Sequence, residues 1–216
     1  MVRRMSYMLA ALTIGTLGCQ PMTGICGSGI EKTEVRQVES FDAVALSGSG
    51  RMEVTLGDAS PLSITADDNL LELIESKVVD GRLTIRPTQN INPSSEIVLK
   101  VSTPALRQVK CSGATKLVVH GAKGEELKIA VSGASTVHAD GQVGRFEVAV
   151  SGAGDIFASE LKSDEVQVTI SGAGSAQLHA EKKLKATISG AGSITYSGTP
   201  EVDQQVSGAG TIKRKS

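Results

Sequence analysis

Residues 151–170 read SGAGDIFASELKSDEVQVTI, and residues 171–188 read SGAGSAQLHAEKKLKATI. Aligned on their opening Ser-Gly, the two stretches share one pattern. Val166, Val168 and Ile170 fall in one phase of a two-residue alternation, while Gln167 and Thr169 fall in the other. After the Gly-rich step, Ala176 and Leu178 resume the apolar phase. A period of two describes a strand with one buried face. The β-branched residues in it disfavour a helix. Each stretch therefore reads as strand, glycine-containing bend, strand and polar turn.

The same unit extends in both directions. Its Ser-Gly step opens at Ser112, Ser132, Ser151, Ser171, Ser189 and Ser207, at intervals of 20, 19, 20, 18 and 18 residues, and an earlier copy stands at Ser47. A unit of this size buries only one face and cannot close a core alone. Copies stacked at strand spacing, about 4.8 Å, bury it together. The sequence thus predicts an all-β fold, a parallel β-helix (solenoid) of about 19-residue coils over 111–216. The residues preceding each Ser-Gly are expected to form one inward column: Leu46, Cys111, Val131, Val150, Ile170, Ile188 and Val206. Composition agrees, because 24 Gly, two Tyr, three Phe and no Trp call for a thin core of Val, Ile, Leu and Ala.

The Ser-Gly pairs Ser112-Gly113, Ser132-Gly133, Ser151-Gly152, Ser171-Gly172, Ser189-Gly190 and Ser207-Gly208 are read as structural corners. Glycine lets the chain bend where a Cβ would clash, and the hydroxyls are placed to hydrogen-bond from coil to coil. A phosphate-binding loop would need a Lys after the glycines and a helix to follow, and neither is present. A hydrolase elbow would need one distinctive Ser with a His partner, whereas here every coil carries the same Ser.

Other residue types offer little chemistry. Asp155 faintly resembles the Asp of calcium-binding Gly-Asp repeats, but the equivalent positions hold Lys116, Thr136, Ser175, Ser193 and Thr211. His120, His138 and His179 fall in the outward phase, too dispersed to share a metal, and are expected in solvent. No catalytic residue, cofactor or metal site is expected. A polysaccharide-cleaving β-helix would need paired carboxylates, long loops and aromatic platforms. The turns here, at Gly141–Gly144, Ser163–Glu165 and Glu181–Lys183, are short. Cys111 reads as a small apolar core residue, with a disulfide to Cys26 or a reactive thiol as alternatives. With 22 basic and 23 acidic residues the net charge is −1, so nothing draws the chain to nucleic acid.

The first residues are a targeting segment. Arg3 and Arg4 precede an apolar run from Tyr7 to Gly18 that is too short to span a bilayer. The run ends in Thr16-Leu17-Gly18-Cys19, which resembles a bacterial lipobox, with Thr16 where Leu is usual. Residues 1–18 are therefore expected to be a lipoprotein signal peptide. Residues 19–34 would be a linker lipidated at Cys19, the chain's contact with the membrane. An ordinary secretory signal or a retained anchor remain alternatives. Gln20, standing where Asp would imply inner-membrane retention, favours the outer membrane.

Residues 35–110 are expected to continue the stack with longer excursions and to cap its first end, since open strand edges need cover. Strands are predicted at Met52–Leu56, Leu62–Thr65, Leu83–Ile85 and Ile97–Val101, a short amphipathic helical turn over Asn69–Ser76, and a turn at Asp80-Gly81. Lys213, Arg214 and Lys215 are candidate guards against end-to-end pairing.

Several ordered features resemble one known family. A Phe41-Asp42-Ala43-Val44 strand leads into Ser47-Gly48-Ser49-Gly50. Asp68-Asn69-Leu70-Leu71, Gly81-Arg82-Leu83-Thr84-Ile85 and Pro104-Ala105-Leu106 then precede the Ser-Gly-Ala repeats. This order, over about residues 35–213, is similar to the family named "putative auto-transporter adhesin, head GIN domain". The resemblance implies a right-handed β-helix in exported, often lipid-anchored bacterial proteins. It leads to the expectation of a non-enzymatic envelope lipoprotein that presents a rigid surface to a protein or glycan partner. Polysaccharide binding or cleavage, and a structural periplasmic module, stand as alternatives. No membrane-barrel pattern follows the repeats.

Overall fold

The structure, a computed structural model, describes residues 24–215. The expected signal peptide and Cys19 lie outside the described residues. The chain runs β1 (Ile25–Cys26), β2 (Glu31–Arg36), β3 (Ala43–Leu56), β4 (Leu62–Asp67), a single 3-10 turn (Leu71–Leu73), β5 (Ile74–Val79), β6 (Arg82–Pro87), β7 (Ile91–Asn92) and β8 (Val98–Thr103). It continues through β9 (Gln108–Gly133), β10 (Thr136–Gly152), β11 (Asp155–Gly172), β12 (Ser175–Gly190), β13 (Ser193–Ser197), β14 (Glu201–Gly208) and β15 (Thr211–Arg214).

From β9 onward the pairing is parallel and in sequence order, and β3 provides the parallel strand on which β9 stacks. β3 pairs with β9, β9 with β10, β10 with β11 and β11 with β12; β12 then receives β13 and β14, and β13 receives β15. Together they make a β-solenoid of about five turns with coils roughly 20 residues apart. The interval between Ser-Gly steps varies without disturbing the corners, because extra residues are absorbed as bulges. One such shift lies between Ala158 and Lys162, where the longer β11 coil meets β12.

Burial follows the predicted alternation. Ile156, Ala158, Val166, Val168 and Ile170 are buried along β11, and Ala176, Leu178, Leu184, Ala186 and Ile188 along β12. The inward column holds from Leu46 through Cys111, Val131, Val150, Ile170 and Ile188, and ends at Val206, which is 43% exposed. Val206 lies on the last coil, where no further coil covers it among the described residues. Leu127, Phe146, Val166 and Leu184 form a second column, so the thin core does admit one large ring, that of Phe146. Phe41 adds a second ring near the first end.

The chain departs from expectation in three places. Over 69–76 only Leu71–Leu73 winds helically; Ile74–Val79 is a strand, antiparallel to β6. The hairpin wins because Ile74 is buried as a strand residue and because Asp80 and Gly81 both take positive φ, the geometry of a tight two-residue hairpin turn. Residues 25–34, expected within the linker, carry β1 and most of β2. β2 lies antiparallel to β4, and β4 antiparallel to β8, so this end of the stack closes on antiparallel strands. The expected turns at Gly141–Gly144, Ser163–Glu165 and Glu181–Lys183 lie inside β10, β11 and β12, whose pairing continues on both sides of them, so the coil bends there within continuous strands.

Candidate functional site

The corners form an outer column in strict register. Ser47 pairs with Ser112, Ser132 with Ser151, Ser151 with Ser171, Ser171 with Ser189 and Ser189 with Ser207. At each step the glycine takes positive φ; Gly152 is at 121° and Gly172 at 131°. A Cβ on Gly152 would sit 2.7 Å from the carbonyl oxygen of Gly133, so both conformation and space demand glycine. The backbone ladder continues through the bend: Ala153 N–H donates to Gly133 O and Ala173 N–H to Gly152 O, both at 3.0 Å.

The serine hydroxyls behave differently from expectation. Ser112 Oγ donates to Ser47 Oγ at 2.9 Å. Ser132, Ser151, Ser171, Ser189 and Ser207 are exposed and make no coil-to-coil hydroxyl bond among the described residues. Backbone pairing already satisfies the corner, which leaves these hydroxyls free for solvent or a ligand. Beside them, Ala45, Ala130, Ala149 and Thr169 face outward, and with Ser47, Ser112, Ser132, Ser151 and Ser171 they line an open groove of about 530 Å³ along the stack.

A second cleft of about 430 Å³ is lined by His120, His138, Asp140, Phe157, Glu160 and Lys215 among others. His120 and His138 are exposed as expected and His179 is half-buried, and each ring has a defined neighbour. His120 Nδ1 shares a hydrogen with Asp140 Oδ2 at 2.8 Å, and Asp140 Oδ1 accepts Gly121 N–H at 2.7 Å. His138 stacks on Phe157, centroids 4.8 Å apart, which consumes a ring face that a sugar would need. His179 bonds Ser197 and Glu181 through its two nitrogens. Asp155 accepts from Ser175 Oγ at 2.5 Å, a coil-to-coil bond. No group of three or more His, Cys, Asp or Glu suited to a metal occurs among the described residues.

Cys111 is buried and Cys26 exposed, and both are free thiols. Burial pushes the Cys111 thiol up to about 11, against a smaller opposing effect from Thr115. A thiol so held stays protonated and unreactive at neutral pH.

The next outward columns carry charge ladders that residue-by-residue reading overlooked. Glu126, Arg145, Glu165, Lys183 and Glu201 stand opposite one another on successive coils, alternating in sign. Arg145 lies 3.6 Å from Glu126 and Lys183 lies 3.3 Å from Glu165. Beside them, Lys128 lies 3.2 Å from Glu147 and 3.3 Å from Glu126, which raises its pKa. The signal was available at a fixed offset of six residues before each Ser-Gly, but only after the coils were aligned.

Among solved structures, an adhesin-like protein of Bacteroides fragilis, described as a "putative adhesin", matches with 22% identity and a TM-score of 0.70, covering 89% of this chain and 100% of its own. A "putative adhesin" of Parabacteroides merdae matches with 23% identity and a TM-score of 0.57, covering 89% and 99%. A "putative lipid binding protein" of Parabacteroides distasonis matches with 20% identity and a TM-score of 0.55, also covering 89% and 99%. These likenesses are of fold. Comparison with curated proteins gives no match. The model of one family matches residues 40–200, most of the stack described above, and the chain therefore belongs to the family "Putative auto-transporter adhesin, head GIN domain".

Proposed function

We propose that this protein is a non-enzymatic lipoprotein of the cell envelope, exported by its N-terminal segment and anchored through Cys19 in the outer membrane. In that position the solenoid presents a rigid outer surface for adhesion to a protein or glycan. The observation that carries the reading is the regular stacking of the coils: about five turns whose Ser-Gly corners lie in register, joined without long loops that could build a deep pocket. A surface that repeats at strand spacing suits a long, repetitive ligand lying across several coils. Membership of an adhesin family supports the same direction.

Two measurements test it. Palmitate labelling of the wild type and of Cys19→Ala, followed by protease shaving of whole cells, should give label only in the wild type and locate the domain. Full-length protein is then offered to a glycan array and to immobilised envelope proteins, with a reducing-end assay on every glycan that binds. Retention without turnover is expected; turnover would overturn the non-enzymatic reading, and no retention on either surface would overturn adhesion.

A further inference from the structure

The last coil differs from those beneath it. Leu184 and Ile188 are each 1% exposed, but their partners one coil on, Val202 and Val206, are 36% and 43% exposed. Gln204 puts an amide in the inward column that Ile129, Val148, Val168 and Ala186 occupy on earlier coils. β14 is paired on one side by β12, and β15 by β13; their outer edges carry no strand among the described residues. An edge of this kind offers a row of unpaired N–H and C=O groups.

The charges on that edge are sorted by strand. β14 carries Glu201, the final rung of the alternating ladder, and Asp203, while β15 and the residue after it carry Lys213, Arg214 and Lys215, whose expected guard against end-to-end pairing holds against a basic edge and not against an acidic one. None of the five forms an ion pair among the described residues. Along the ladder each acidic rung is followed by a basic one, so the position beyond Glu201 calls for a cation.

We propose that this edge docks a second copy of the same chain, tail to tail. A twofold axis lying in the plane of the last coil and bisecting the corner at Ser207-Gly208 lays each β14 along the β15 of the other copy. β14 runs toward the corner and β15 away from it, so the two new pairings are antiparallel. Both charged segments lie at the ends far from the corner, which brings Glu201 and Asp203 opposite Lys213 and Lys215 of the other copy. The exposed Val202 and Val206 are covered at the same time. The alternative axis, pairing β14 with β14, would oppose like charges. The far end of the stack closes on antiparallel β2 and β4, so head-to-tail growth has no matching surface and the assembly stops at two. One coil edge is a small interface, at the low end of specific contacts, roughly 1,200 Å² or less, so association is reversible and salt-sensitive.

The test is sedimentation of the full chain over a range of concentration and salt. Wild type should dimerise and dissociate as salt rises. Glu201→Lys with Asp203→Lys, and separately Lys213→Glu with Lys215→Glu, should each weaken self-association by roughly tenfold or more. Mixing the two variants should restore a dimer, because one then carries two basic strands and the other two acidic ones. A wild type that stays monomeric throughout, or a dimer that neither variant weakens, or a mixture that stays dissociated, would overturn the proposal. Unchanged circular dichroism in both variants separates lost docking from lost folding.

Discussion

At the scale of single residues, two positions show how the stack constrains chemistry. Cys111 occupies a column otherwise filled by Leu46, Val131, Val150, Ile170 and Ile188, and its thiol is held up at about 11 by burial. The unfolded chain ionises this thiol near 9.0, so the folded state is increasingly disfavoured as pH rises from about 9 toward 11 and is unaffected below. Cys111→Val should therefore match wild type in thermal melts at pH 7 and melt higher than wild type at pH 10.5. A thiol reagent at pH 8 should label Cys26 at once and Cys111 only in denaturant. The corner glycines fail in a different way. Gly152→Ala forces a side chain into positive φ and against Gly133 O, which costs at least ~1–2 kcal/mol from the backbone alone. In a chain of this length each kcal/mol lowers Tm by about 2–4 °C. Ala153→Ser, one residue on and exposed, should leave Tm within error.

Elements show what the sequence could and could not reveal. Coils were legible because Val166, Val168 and Ile170 alternate and the Ser-Gly steps recur, both signals local to a few residues. The capping strands were less so. β2 reads EKTEVR, a polar edge with no apolar period, and it is held by partners far away in sequence. Its anchor is Asp67 at the end of β4, which is fully buried and accepts N–H groups from Gly29 at 2.8 Å, Ser94 at 2.9 Å and Ser95 at 3.4 Å. No pattern in one sequence announces that three backbone donors will converge on one carboxylate. Burial works to raise the pKa of Asp67, yet these donors together hold it below 3.8. Its contribution is thus present above pH 3.8 and lost as acid protonates it below that value. Asp67→Asn, which places an amide where an acceptor is needed, should loosen the cap at neutral pH as acid does in the wild type. Hydrogen exchange should quicken in 25–36 and 91–95 while β10 and β11 stay protected. Uniform quickening across all coils would show that the cap and the stack melt as one.

Taken whole, the molecule is nearly one-dimensional: each coil touches the coil before and after it, and its stability is a sum over neighbours. The charge ladders fit this view as guides to register more than as sources of stability, since exposed pairs such as Lys183 with Glu165 are worth about 0–1 kcal/mol. Apolar columns carry the energy, and their value depends on position along the stack. Ile170 is fully buried with coils on both sides, Val150 before it and Ile188 after it. Ile170→Ala should cost about 2–5 kcal/mol through lost burial and the cavity left behind. Val206 occupies the equivalent place on the last coil with Ile188 on one side only. Val206→Ala, measured in dilute protein, should cost about 0.5 kcal/mol or less, as at other surface sites. Denaturant melts of the two variants read the contrast directly. If both substitutions cost the same, the last coil is as tightly held as the middle, and stability is not the nearest-neighbour sum that the parallel stack implies.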